Sequence, residues 1–412
     1  MMPASASASS RSTLPQLFSQ AMASLPVASE NYVPLLVDVL LNEARRHRAS
    51  DIHLVPSSAS LRMQWRIDGV LQTIAEFDGD LSPRVVARLK VLAGLLTYRT
   101  DVPQEGRISH ADARADVDAC ETRVTTFPTL HGEKAAVRLF ATTGEFQHLE
   151  QLGLPADIEA TLRDLLQQTS GVVLLTGPSG SGKTTTVYAC LRELVRLSGV
   201  TRSLMTLEDP IEVEVPGVTQ SQVRPSAGFD LATGLKSMMR QDPDVIMVGE
   251  IRDPGTAESV FQAALTGHLV LTTFHAGSSV EAITRLLEMG IEPYLIRSSL
   301  KAVVCQRLLR RACPVCHFGD SEESADKISA AGHPSTGCQT CSGTRFHGRF
   351  VTGELLDPNV PEFARSVLER EDAKRLQLIA EESGMTTLRQ RAEAAVRDRL
   401  TLPEEVFRVL GR

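Results

Sequence analysis

Residues Gly177, Pro178, Ser179, Gly180, Ser181, Gly182, Lys183 and Thr184 meet the spacing G-x-x-x-x-G-K-[ST], directly after the apolar run Gly171-Val-Val-Leu-Leu-Thr176. That run reads as a buried strand, and Thr185 to Leu197 is compatible with a helix. A strand, loop and helix in this order aim backbone N–H groups and a helix N-terminus at an anion, and the glycines let the main chain approach it. The chemistry implied is capture of a nucleoside triphosphate by the loop from Gly177 to Thr185. Lys183 would contact the β- and γ-phosphates and the Thr184 hydroxyl would ligate magnesium.

Two acids come next, at the ends of apolar segments. Glu208 opens Glu208-Asp209-Pro210-Ile211-Glu212 after Ser203 to Leu207, and Glu250 ends Val245-Ile-Met-Val-Gly249-Glu250. Triphosphate hydrolysis needs a carboxylate to orient or deprotonate water, and a strand end is a rigid place to hold it. Glu250 has the form of a magnesium-side carboxylate, binding the ion directly or through water. Further on, His268 and His275 flank one strand candidate, Leu269 to Phe274. A histidine alone is as readily a packed residue as a catalytic one, and two flanking one strand strengthen the catalytic reading.

Cys313-Pro-Val-Cys316 and Cys338-Gln-Thr-Cys341 form two C-x-x-C pairs with 21 residues between them, close to zinc-ribbon spacing. Four thiolates about 2.3 Å from one zinc make a closed tetrahedral site that contributes to folding and leaves no position for catalysis. Paired cysteines beside a nucleotide motif point to a reducing compartment, hence the cytoplasm. Cys120, Cys190 and Cys305 read as ordinary small residues.

These groups need elements to carry them. The chain has 412 residues, 42% of them hydrophobic, enough for two or three domains with proper cores. Its net charge of −7 disfavours a general nucleic-acid surface, and no segment is long and apolar enough to span a bilayer. Residues 1–30 lack a signal-peptide pattern and read as a disordered or weakly helical tail. Val33 to Arg46 has helical periodicity; after it come short alternating segments such as Ile52 to Val55 and Leu61 to Ile67, the turn dipeptide Asp68-Gly69, and a helix near Pro83 to Leu96. We therefore expect an α+β domain over residues 31–142 and a linker over 143–166. From 167 to 412 strands alternate with helices, which argues for a mainly parallel sheet. The cysteine module at 305–345 and a helical cap at 358–412 belong to that stretch.

Beyond the loop and the acids, the ordered segments Ala49-Ser-Asp-Ile-His53, Arg66-Ile-Asp-Gly69, Pro103-Gln-Glu-Gly-Arg107, Arg123 through Arg138, Arg240-Gln-Asp-Pro-Asp244, Gly249-Glu-Ile-Arg-Asp253 and Gly290-Ile-Glu-Pro293 recur in one known group. From about residue 31 to 412 the chain resembles the type II secretion and type IV pilus assembly ATPases, hexameric motors of the secretion superfamily. The resemblance implies an α/β fold: a RecA-like P-loop ATPase core, an N-terminal PAS-like α+β domain, a small zinc module and a C-terminal helical cap. It implies ATP, Mg2+ and Zn2+ as cofactors, Glu208 as the group that activates water and Glu250 on the magnesium side. His268 and His275 would attend the γ-phosphate, and Arg123 and Arg138, from the N-terminal domain, would stabilise phosphate charge. Arginine suits that task because its planar fork matches phosphate oxygens. The implied partners are five further copies in a homo-hexamer and an inner-membrane platform protein, with no nucleic acid, at a cytoplasmic site peripheral to the inner membrane. Val55, Phe274, Ala276 and Lys236 depart from the family pattern, and only about thirty residues precede the first family domain. A nucleic-acid translocase on the same core and a non-hydrolytic, nucleotide-gated scaffold are the rival readings. The acidic balance and 4% aromatic content weigh against the first, and the intact Lys183, Thr184, Glu208 and Glu250 against the second.

Overall fold

The computed structural model describes residues 13–26, 29–108, 122–139, 146–199, 201–317 and 337–411. Cys120 lies outside them. The chain divides into two compact units, Met1–Thr143 with Ala312–Gly348, and Gly144–Arg311 with Arg349–Arg412.

The first unit begins with helices α1 (Leu14–Met22) and α2 (Tyr32–Arg46), then strands β1 (Ala49–Pro56), β2 (Ser60–Ile67) and β3 (Val70–Asp78), helix α3 (Ser82–Leu92), and strands β4 (Gln104–Ile108), β5 (Thr122–Thr129) and β6 (Gly132–Leu139). The strands form one antiparallel sheet in the order β3-β2-β1-β6-β5-β4. Alternation decides its faces: Ile52, Leu54, Leu61, Met63, Trp65, Val124 and Val137 turn inward and are buried with the apolar sides of the three helices. Of the expected tail, the described part contains α1. Leu14 and Phe18, one helical turn apart, are buried, and Phe18 meets Trp65 edge-on at 5.7 Å between ring centroids. Asp68 and Gly69, at φ 48° and 81°, make the β2–β3 turn as their types predict.

In the second unit, helix α4 (Ala156–Leu166) leads into β7 (Gly171–Thr176), followed by α5 (Lys183–Ser198), β8 (Leu204–Glu208), β9 (Thr219–Gln222), α6 (Leu231–Met238), β10 (Val245–Val248), α7 (Pro254–Leu265), β11 (Leu269–Phe274), α8 (Ser279–Glu288), α9 (Pro293–Ser299) and β12 (Leu300–Ala312). The short helix α10 (Pro314–His317) enters the cysteine module, and β13 (Phe346–Leu356) returns from it to helices α11 (Pro361–Leu368), α12 (Ala373–Glu382), α13 (Leu388–Arg397) and α14 (Pro403–Leu410). The sheet order is β13-β12-β7-β11-β10-β8-β9, with parallel pairing from β12 through β9. Neighbouring residues of each central strand feed different cores. Val172, Leu174, Ile246 and Val270 pack with α6–α9, α11 and α12, whereas Val173, Leu175, Met247 and Leu271 pack with α4 and α5. A sheet covered on both faces reads in sequence as continuous apolar runs, which is why Val245 to Val248 and Leu269 to Phe274 show no alternation.

Among the described residues, no helix is long and apolar enough to cross a membrane.

Candidate nucleotide site

Parallel strands put all their carboxyl ends on one edge, and four predicted segments leave the sheet there. Thr176 of β7 pairs with Phe274 of β11, Thr272 of β11 with Val248 of β10, and Val248 with Leu207 of β8. The phosphate loop, His275, Glu250 and Glu208 therefore emerge side by side although they span almost a hundred residues of sequence. Loops at the carboxyl ends of such strands are where an open α/β sheet binds its ligands.

The loop has the backbone its glycines predict. Gly177, Gly180 and Gly182 adopt φ of 144°, 75° and 90°, and α5 starts at Lys183. At Gly177 a side chain is also excluded by space, because a Cβ would come within 2.6 Å of both the Gln306 carbonyl oxygen and Ser181 Oγ. Lys183 Nζ donates to the carbonyl oxygens of Gly177 at 2.8 Å and Pro178 at 3.0 Å. Burial lowers its pKa, the Glu250 carboxylate opposes that shift, and the Arg307 guanidinium adds to it. Gln306 Nε2 holds the loop from β12 by donating to Ser181 O at 3.0 Å. Among the described residues, Ser181 Oγ is buried with no hydrogen-bond partner. An orphaned hydroxyl in a glycine cradle at a helix N-terminus, beside a lysine, fits a phosphate group. Thr184 is half-buried on the first turn of α5, while Pro178, Ser179, Gly180 and Thr185 are exposed.

Glu250 is shared between two partners. His275 Nε2 lies 3.1 Å from its Oε2, and Arg252 pairs with its Oε1 while reaching Asp209 Oδ2 at 3.1 Å. The loop carrying His275 is tied down by the Thr176 hydroxyl, which accepts from Ala276 N at 3.0 Å. Arg307 adds a second tie by donating to Gly277 O at 2.6 Å. Glu208, by contrast, is buried and surrounded by neutral donors: Thr206 Oγ1 at 2.5 Å, Gln220 Nε2 at 3.1 Å and the Tyr188 hydroxyl.

The remaining expected residues lie elsewhere. His268 precedes β11 at the opposite edge of the sheet, where its carbonyl accepts from Gly171 N at 3.1 Å and its Nδ1 meets Ala263 O at 2.9 Å. One strand separates the two histidines, so they occupy opposite ends of β11 and only His275 is beside the phosphate loop. Arg123 and Arg138 belong to the first unit, where they are directly paired across β5 and β6 and form ion pairs with Glu105 and Asp51.

Tyr188, Gln220, Arg252 and Arg307 also join the site, although sequence alone assigned them no role. Arg252 lies within the segment Gly249 to Asp253, so proximity to Glu250 could have flagged it. Tyr188 and Gln220 reach Glu208 from α5 and β9, which no local spacing signals.

The four cysteines converge in the first unit, each sulfur within 4.8 Å of the others. Cys313–Cys338 and Cys316–Cys341 sulfurs are 3.6 and 3.8 Å apart. A tetrahedron of zinc–sulfur bonds of about 2.3 Å has edges of roughly 3.8 Å. Backbone N–H groups of Cys338 and Arg345 point at Cys341 Sγ from 3.1 and 3.3 Å, the outer-shell support a thiolate ligand needs. The donor set and spacing fit zinc.

Residues 27–408 match the family model described as type II/IV secretion system protein. The chain is 38% identical to the type II secretion system protein HxcR of Pseudomonas aeruginosa over 91% of its own length and 76% of that protein. It is 39% identical to the type II secretion system ATPase E of Vibrio cholerae over 92% of its length and 76% of that protein. With the type IV pilus assembly ATPase PilB of Thermus thermophilus it shares 36% identity, over 92% of this chain and 43% of that one. Among solved structures, the Legionella pneumophila ATPase DotB superposes with a TM-score of 0.67 at 21% identity, covering 92% of this chain and 96% of that one, which shows the fold.

Proposed function

The chain belongs to the type II/IV secretion system protein family, and from that premise we propose that it is an ATP hydrolase whose turnover drives pilus or pseudopilus assembly or type II secretion. The observation that carries this reading is the single sheet edge on which the phosphate loop, Glu250, His275 and Glu208 stand side by side. ATP and magnesium are the cofactors the family implies. Magnesium neutralises phosphate charge when bound, and Thr184 and Glu250 are the residues that would hold it. Lys183 binds the phosphates, and Glu208 orients the attacking water. His275 is held toward that edge by Glu250, where its imidazole can attend the terminal phosphate. Arg123 and Arg138 are assigned to phosphate charge, and zinc to Cys313, Cys316, Cys338 and Cys341 as a structural ion. A homo-hexamer working on an inner-membrane platform protein from the cytoplasmic side completes the reading.

Steady-state ATPase measurements on the purified chain beside Glu208→Gln, with and without single-stranded DNA, test it. The expected result is DNA-independent turnover in the parent. The variant should bind ATP and magnesium normally and lose turnover by about 10²-fold or more, since the amide keeps the shape and removes the base. Stimulation by DNA would favour a translocase instead. Full turnover in the variant would refute the role of Glu208.

A further inference from the structure

Glu208 is held differently from every other acid at the sheet edge. Its Oε1 accepts from Thr206 Oγ1 at 2.5 Å and Gln220 Nε2 at 3.1 Å, and its Oε2 accepts from the Tyr188 hydroxyl. Among the described residues, no lysine or arginine pairs with it. Glu250 contrasts with this, being occupied by Arg252 and His275. A buried carboxylate costs free energy unless its lone pairs are met, so three donors from three elements are a substantial provision for one side chain. Because those donors are neutral, the carboxylate is held in place without its charge being cancelled by a cation.

Two of the donors do more than satisfy Glu208. The Tyr188 oxygen also accepts from Glu212 N at 3.1 Å. Gln220 Nε2 also donates to Val213 O at 3.0 Å, and its Oε1 accepts from Val215 N at 2.7 Å. Each side chain therefore grips the carboxylate with one hydrogen bond, and residues 212–215, just beyond it, are held by one from Tyr188 and two from Gln220. Burial first, and then the Glu208 carboxylate, push the Tyr188 phenol well above its ordinary value of 10.0, so it remains a protonated donor throughout the physiological range. Tyr188 lies on α5, the helix whose first residue is Lys183. The phosphate-binding helix is thus joined to the carboxylate and to the segment just beyond it by one hydroxyl.

We propose that Tyr188 and Gln220 are positioning residues for Glu208, fixing its carboxylate with respect to the phosphate-loop helix and coupling that placement to residues 212–215. This rests on the reading of Glu208 as the group that orients water. Orientation of a water nucleophile is sensitive to displacements of about an ångström, which can change rates by roughly 10²-fold. Among the described residues, the hydrogen bonds of both side chains go to Glu208 and residues 212–215 and none to the phosphate loop, so their removal should spare nucleotide binding.

The test compares kcat, KM for ATP with magnesium, and binding of a fluorescent ADP analogue for Tyr188→Phe and Gln220→Leu, each alone and combined with Glu208→Gln. Gln220 is on an edge strand and half-buried, so its variant gives an independent arm if Tyr188→Phe does not fold. The expected result is a fall in kcat of about 10-fold or more, with KM and analogue affinity changed less than about twofold, and no further loss when either is added to Glu208→Gln. Unchanged kcat in both variants beside an inactive Glu208→Gln would overturn the positioning role and leave the proposed function standing. Weakening of analogue binding in parallel with kcat would also overturn it, because the contacts would then support the fold of the site as a whole. Full turnover in Glu208→Gln would remove both this inference and the reading it rests on.

Discussion

At the scale of single residues, the second unit disposes of its buried carboxylates in distinct ways, and the difference is measurable. Glu405 of α14 is fully buried and is bonded by Arg310 N at 3.0 Å, Arg310 Nε at 2.8 Å and the Arg408 guanidinium at 2.6 and 2.7 Å. Burial raises its pKa, but the hydrogen bonds from Arg408 and Arg310 outweigh burial and hold it below the ordinary 4.5. A carboxylate depressed in the folded state adds stability that is present above its unfolded pKa and is lost as the pH falls through the folded one. Removing one partner of a buried ion pair costs about 3 kcal/mol, so Glu405→Gln should lower stability to urea by roughly that amount at neutral pH. The gap between parent and variant should close as the pH drops below 4.5. A gap that is constant across this range would mean that the pair contributes packing only. Glu354 solves the same problem with neutral donors, accepting from Ser279 N, Ser279 Oγ and Leu388 N at 2.7 to 3.0 Å, and so ties the starts of α8 and α13 to β13.

At the scale of elements, the cysteine module shows how a small segment with little apolar content can be given a fixed shape. From Cys313, just before α10, to Phe346 at the start of β13, Cys313, Cys341 and Phe346 are buried and the four cysteine sulfurs cluster together. Gly348 N donates to Asp68 Oδ2 at 2.9 Å, which ties the start of β13 to the β2–β3 turn. With zinc bound as proposed, a small element of this kind would draw folding free energy from the ion. The purified protein should carry about one zinc per chain, and Cys316→Ser should lose it and lower the thermal midpoint, while ADP-analogue binding at low temperature stays intact because the phosphate loop lies in the other unit. Normal zinc content in the variant would show that the four sulfurs do not form the site.

At the scale of the whole molecule, the phosphate loop and acids come from the second unit, while the arginines assigned to phosphate charge, Arg123 and Arg138, come from the first. A hexameric motor built from such subunits should have ATPase activity that rises with protein concentration as rings assemble, tracked by sedimentation in parallel with turnover. Specific activity independent of concentration down to the monomer would contradict the hexamer.

By itself the sequence determined what is local. Glycine and lysine spacing predicted the phosphate loop, the apolar runs Val172 to Leu175 and Val245 to Val248 predicted buried parallel strands, and two C-x-x-C pairs predicted the sulfur cluster. Each of these depends on backbone conformation or on burial, which neighbouring residues largely dictate. Register and strand order, in contrast, belong to the tertiary structure. They set His268 at the far edge from His275, because the two ends of a parallel strand lie at opposite edges of its sheet. They also brought Tyr188 and Gln220 to Glu208 and buried Phe18 of the tail on Trp65. Those contacts join residues 12 to 47 positions apart, and no periodicity within one element encodes which side chain of another will meet it.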